Sequence, residues 1–164
     1  MKTREIHLQR LSVVSRQPFE EVERRLTATI GRPDAQAFHD ALTAASSFAE
    51  LEAVVQGAIG PSELMEFVRF DSGEVLRKEM GGAAPKMLRL VVGNPLIMKE
   101  MAKHVPDAAA YAPVTILVDE RGDGVHISYD SMASQLAPYG NQAALTVAQD
   151  LDTKVETLLT DAAQ

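Results

Sequence analysis

Residues 86–130 constrain this chain more than any other stretch. Met87-Leu88-Arg89-Leu90-Val91-Val92 is an almost continuous apolar run, which predicts an interior strand rather than an edge. Gly93-Asn94-Pro95 follows it. An Asn side chain can accept from the first N–H groups of a helix, and Pro is preset for the first helical position, so a helix is expected from Pro95. Leu96, Ile97, Met98 and Met101 carry that helix to about Lys103-His104. Two more apolar runs, 114–119 and 125–129, flank Arg121-Gly122-Asp123-Gly124 and predict a hairpin.

The flanking sequence extends the pattern. Residues 5–16 alternate through Ile6, Leu8, Leu11, Val13 and Val14 with one break near Arg10, which predicts a strand with a bulge. Pro18, Glu20 and Glu21 suit a helix start, Phe19, Val22, Leu26 and Ile30 keep helical spacing, and Gly31 stops it. Asp34 opens a second helical stretch through Phe38 and Leu42. Ser47 with Glu50 forms a capping box for a third, ending at Gly57 or Gly60. Together 33–60 read as a helical insertion between sheet elements. Residues 64–70 and 74–80 around Asp71-Ser72-Gly73 predict another hairpin, and 81–85 a loop. Residues 130–140 read as irregular. Asn141 then caps the longest helix, with Ala144, Ala148, Leu151, Val155 and Leu158 on one stripe. The order β-α-(αα)-β-β-β-α-β-β-α predicts one α+β domain over 1–164, a mainly antiparallel sheet with helices packed on it.

At 164 residues and 46% apolar content the chain can bury a real core, although aromatics are 5% and Trp is absent. A net charge of −7 opposes binding to nucleic acid or anionic membranes. Without Cys there is no disulfide, zinc-thiolate site or thiol nucleophile. The N-terminus has no apolar signal core and no run approaches a membrane span, so a cytoplasmic soluble protein is expected.

A series of small features has a fixed order: Gly93-Asn94-Pro95 after an apolar strand, Met98 and Met101 on the next helix, Pro106-Asp107, Ala112-Pro113 before a Val/Ile/Leu strand, Asp119-Glu120, and Ile127-Ser128-Tyr129-Asp130 after a Gly-containing turn. The series resembles the family of domains of unknown function numbered 302 (DUF302), across 86–159 and more weakly across 5–31. The resemblance implies a TATA-binding-protein-like α+β fold, a curved antiparallel sheet with two main helices, and it implies no activity. Leu96-Ile97-Met98-Lys99 departs from a Lys and Gly-Thr pair seen after Asn-Pro in similar members, and Gly93 stands where others have Cys. Roles resting on those side chains do not transfer.

Four constellations bear chemistry. His126, Ser128 and Asp130 share one strand face, but neighbours at i and i+2 are about 6.7 Å apart, so a polar hairpin face explains them better than a hydrolase triad. Glu100 and His104 sit one helical turn apart, fewer ligands than a metal needs. Met98, Met101 and His104 could ligate haem, yet a Met stripe is more often soft core. Asn94 at a helix start could bind an anion, or simply cap. No cofactor and no metal are expected.

Three readings follow. The first is a non-catalytic small-molecule-binding or sensor domain with an apolar pocket between sheet and C-terminal helix, lined by Met87, Met98, Met101, Ile127 and Tyr129 and anchored by Asn94. The second is a homodimeric interaction protein, because Leu64, Val68 and Phe70 on one face of a strand and Met65 and Phe67 on the other leave both faces apolar. The third is an enzyme using His104, His126, Ser128 or Asp130.

Overall fold

A computed structural model describes residues 3–82 and 84–164. The first strand, β1, is Arg10–Ser15. It is shorter than expected and has no internal bulge: the break in alternation near Arg10 is where the strand begins. Just before it, beyond the Arg10–Asp130 pair, Gln9 N–H donates to Ser134 Oγ at 3.1 Å and Gln9 C=O accepts from Ser131 N–H at 2.9 Å.

Helix α1, Phe19–Thr27, has Glu20 and Glu21 in its first turn and Arg24 and Arg25 in its last, matching the helix dipole at both ends. Helices α2, Ala35–Ala44, and α3, Phe48–Ala58, begin at side-chain caps. Asp34 accepts from Ala37 N–H at 2.8 Å, and Ser47 Oγ accepts from Glu50 N–H at 3.2 Å. Glu50 reaches back to Ser46 rather than to Ser47.

Strand β2 is Met65–Asp71, and here the predicted hairpin fails. Residues Ser72–Met80 form a helix, α4. Asp71 caps it by accepting from Glu74 N–H at 3.0 Å, Lys78 pairs with Glu74 at 2.9 Å, and Gly81 ends it with φ of 70°. Cap, i,i+4 ion pair and left-handed Gly together outweigh the turn signal of Asp71-Ser72-Gly73.

Strand β3, Met87–Gly93, leads into α5, Pro95–Ala102, at the expected corner. A one-turn helix α6, Ala108–Tyr111, precedes the hairpin of β4, Val114–Arg121, and β5, Gly124–Asp130. The segment read as irregular holds a short helix, α7, Met132–Leu136, capped by Ser131. Helix α8, Gln142–Ala163, closes the fold, capped by Asn141.

The strands form one sheet in the order β1-β5-β4-β3-β2, with every neighbouring pair antiparallel. Directly opposed residues share a face. One face carries Leu88, Leu90, Ile116, Val118, Ile127 and Tyr129, buried under α1, α5 and α8. The stripe predicted on the C-terminal helix, Ala144 to Leu158, lies wholly in that core. The other face is left open: Val14, Val68 and Phe70 are about half exposed, at 48%, 52% and 52%.

The expected split of β2 into faces needs one correction. The register shifts between Glu66 and Val68, so Phe67 is an unpaired bulge residue. Met65, Val68 and Phe70 therefore share a face, opposite Gly93, Val91 and Arg89, and Leu64 does not belong with them. Phe67 meets Phe38 of α2 edge-on at 6.5 Å between ring centroids.

Candidate functional site

The predicted site residues divide into two groups. Asn94, Met98 and Met101 come together with Phe67, Pro113 and Leu151 around a hollow of about 130 Å³. Met87 starts β3 and lies at the opposite end of that strand from Gly93 and Asn94. Ile127 and Tyr129 sit fully in the core against other strands, at 0% and 1% exposure. The six do not form one pocket. The 130 Å³ hollow is also well below the roughly 300 Å³ of an ordinary ligand site.

Asn94 is fully committed to structure. Its Oδ1 accepts from Leu96 N–H at 2.8 Å and its Nδ2 donates to Glu63 C=O at 2.9 Å. The other constellations also resolve into separate partners. His126 Nε2 lies 2.8 Å from Asp123, and Asp130 is gripped by Arg10 through two bonds of 2.7 and 2.8 Å. The Arg10 hydrogen bond holds the Asp130 carboxyl below its usual range. Among the described residues no hydrogen bond joins Ser128 to His126. Glu100 pairs with both Lys99 and Lys103, which bring its carboxyl to about 2, while His104 is exposed. No group of three or more His, Asp or Glu placed to hold a metal occurs among the described residues. Met101 is buried at 0%, whereas His104 is exposed.

A polar centre in the core went unforeseen. Asp152 of α8, 6% exposed, accepts from Tyr129 OH and Ser131 Oγ, each at 2.6 Å, and from the N–H groups of Met132 at 2.7 Å and Ala133 at 3.0 Å. One carboxylate thus serves the start of α7 and ties it to both α8 and β5. Burial, and then the neighbouring Asp152 charge, push the Tyr129 phenol far above its ordinary value of 10.0. The folded value is raised, so this contribution to stability is complete below about pH 10 and is lost as pH rises above it. Chemical denaturation between about pH 9 and 11 is expected to show falling stability that Tyr129→Phe flattens. An equal slope in both proteins would place the alkaline sensitivity elsewhere.

Three surface clefts are of ligand size. One, about 500 Å³, is lined by Glu20, Glu23, Arg69, Asp71, Arg77 and Lys86, and each cation there has an acid partner. Another, about 400 Å³, includes Lys99 and Lys154, paired with Glu100 and Glu63. The third, about 440 Å³, lies on the open face of the sheet, with Val91, Leu117, Arg89 and Ser128 on its floor and Tyr111 and Gln135 at its edge. Tyr129 borders it by strand position, while its hydroxyl points the other way to Asp152. Arg89 in this cleft has no acid partner among the described residues; its nearest polar contact is Thr115 Oγ1 at 3.5 Å.

The family described as domain of unknown function DUF302 matches residues 40–162. The chain belongs to the DUF302 family. The match begins within α2 and runs through the whole sheet after β1. The crystal structure of an uncharacterized conserved DUF302 protein from Bacillus stearothermophilus is similar with a TM-score of 0.64 and 14% identity, covering 94% of this chain and 98% of that one. At that identity the likeness concerns the DUF302 fold alone. No curated protein matches the chain. No described helix is long and apolar enough to cross a membrane.

Proposed function

We propose that this DUF302 domain is a non-catalytic small-molecule-binding domain, and that its ligand lies in the cleft on the open sheet face. The observation that carries the reading is the combination of size and chemistry in that cleft. It offers about 440 Å³, an apolar floor of Val91 and Leu117, and polar groups at its margin. The hollow beside Asn94, Met98 and Met101 serves as soft packing at the strand-to-helix corner, with Met filling an irregular gap. Ser128 and Asp130 border the cleft, but neither has a base beside it, which favours binding over turnover. A cytoplasmic setting belongs to the same proposal, resting on the Cys-free acidic sequence.

Native mass spectrometry of freshly purified protein, compared with the denatured mass, tests this. A bound mass lost on denaturation, and absent from a Val91→Trp variant that fills the cleft floor, is the expected result. A clean monomer without added mass under all conditions would count against it.

One observation favours a second reading, a homodimer. Strand β2 is a sheet edge, its Val68 and Phe70 are half exposed, and neighbouring α2 buries no residue. The same spectra would report a dimer of bare chains.

A further inference from the structure

The register of the sheet brings two otherwise unrelated residues into one row. Phe70 opposes Arg89, Arg89 opposes Leu117, and Leu117 opposes Ser128. Strands are about 4.8 Å apart, so Arg89 and Ser128 stand roughly 10 Å apart across the cleft floor, with Leu117 between them. Each of the two is unfinished. The Arg89 guanidinium, a fork of five donors, makes one long contact to Thr115 and sits between two apolar side chains. Ser128 is 6% exposed, borders the cleft, and its hydroxyl makes no hydrogen bond among the described residues. Among the described residues Thr29 Oγ1 is the one fully buried side-chain oxygen without a partner, so the Ser128 hydroxyl keeps contact with solvent, and Ser128 lines the cleft where a ligand can meet it.

Resting on the binding reading above, we infer that the ligand is an organic monocarboxylate with an apolar body. Its carboxylate meets Arg89, its body lies over Leu117 and Val91, and the Ser128 hydroxyl hydrogen-bonds a polar group beyond. Three features select this class. A planar guanidinium matches a carboxylate through two parallel N–H···O bonds. The other cation of the cleft, Arg10, is already neutralised by Asp130, so a second negative charge on the ligand has no partner. The protein's charge of −7 repels polyanions in the same way. The apolar floor excludes small hydrophilic acids by offering them nothing to replace lost water.

Isothermal titration with octanoate and 3-phenylpropanoate, each beside its neutral amide, and with inorganic phosphate, tests the inference. The acids are expected to bind at least tenfold more tightly than their amides. Arg89→Gln, a substitution at an exposed position, is expected to remove that difference by weakening the acids most, while leaving the melting temperature unchanged. Acid and amide binding equally to the wild-type protein would overturn the carboxylate assignment and leave the binding domain standing. Phosphate binding more tightly than either acid would also overturn it. If none of the acids or amides binds, the assignment falls, and a bare mass in the native spectrum would take the binding domain with it.

Discussion

Replacing Asp152 with Ala is expected to lower the melting temperature by roughly 10 °C or more. The carboxylate accepts from two hydroxyls and two backbone N–H groups, all within 3.0 Å, and three of the four bonds are buried. Truncation leaves these donors facing a void. An orphaned buried polar group costs about 1–3 kcal/mol, and with partial relaxation the sum should be about 3–5 kcal/mol. That is a large part of the ~5–15 kcal/mol that keeps a domain folded. Asp152→Asn keeps the volume and one acceptor but turns an NH₂ group toward donors, so an intermediate loss is expected. Tyr129→Phe removes one donor and leaves the others paired, and should cost about 1 kcal/mol. Urea unfolding of the two single variants and the double variant would give a coupling of about 1 kcal/mol or more if Tyr129 acts through Asp152. Asp152→Ala unfolding within 1 kcal/mol of wild type would show that water replaces the carboxylate. The consequence reaches the cleft, because the helix anchored here carries Gln135 to its margin.

Local signals made much of this fold legible. Asp34, Ser47, Asn94 and Asn141 each stand just before a helix and each accepts a hydrogen bond from its first turn. These are short-range effects, and a short window of sequence contains them. The failures came where two local signals competed. Asp71-Ser72-Gly73 reads as a hairpin turn, yet Asp71 as a cap, the Glu74–Lys78 pair and Gly81 specify a helix. Tertiary setting decided where β1 begins: the apolar alternation starts at residue 5, but the backbone groups of Gln9 are met by Ser131 and Ser134.

The site was less legible, for a geometric reason. Period two places His126, Ser128 and Asp130 on one face, and Arg89 as a lone charge inside an apolar strand was a visible signal. What no window contains is strand order and register. Only these put Arg89, Leu117 and Ser128 in one row. The same limit explains why Met87, Ile127 and Tyr129 were grouped with Met98 and Met101: all five are apolar or amphipathic, but the sheet distributes them between its two ends and into its core. Asp152 was hidden differently. It sits at a position of the long helix where a charge reads as solvated surface, and its burial depends on donors that arrive from residues 129–133.

Gly31→Ala is expected to prevent folding or to cost well over 4 kcal/mol, in the range reserved for severe single changes. A β-carbon at Gly31 would lie 2.0 Å from the Ala58 carbonyl oxygen, and one at Gly60 would lie 2.2 Å from the Thr29 carbonyl oxygen. Both obstacles are backbone, so no rotamer change relieves them. The two segments cannot simply separate, because the crossing is also a hydrogen-bonded knot. Gly31 and Gly60 N–H groups both donate to Leu64 C=O, at 2.9 and 3.0 Å, and Gly31 C=O accepts from Glu66 N–H at 2.8 Å. Opening the crossing would break these bonds and pull β2 from its parallel bridge to Gly31. It is thus the fastening by which the α2–α3 pair returns the chain to the sheet edge. Gly57→Ala is the matched control, since a β-carbon there meets nothing within 4 Å and the residue lies inside α3. It should stabilise the protein by about 0.5–1 kcal/mol through helix propensity. Urea melts of the two variants should therefore move in opposite directions. A Gly31→Ala protein as stable as wild type would mean that the helical pair docks without this contact, and that its hold on the sheet comes instead from Phe38 against Phe67.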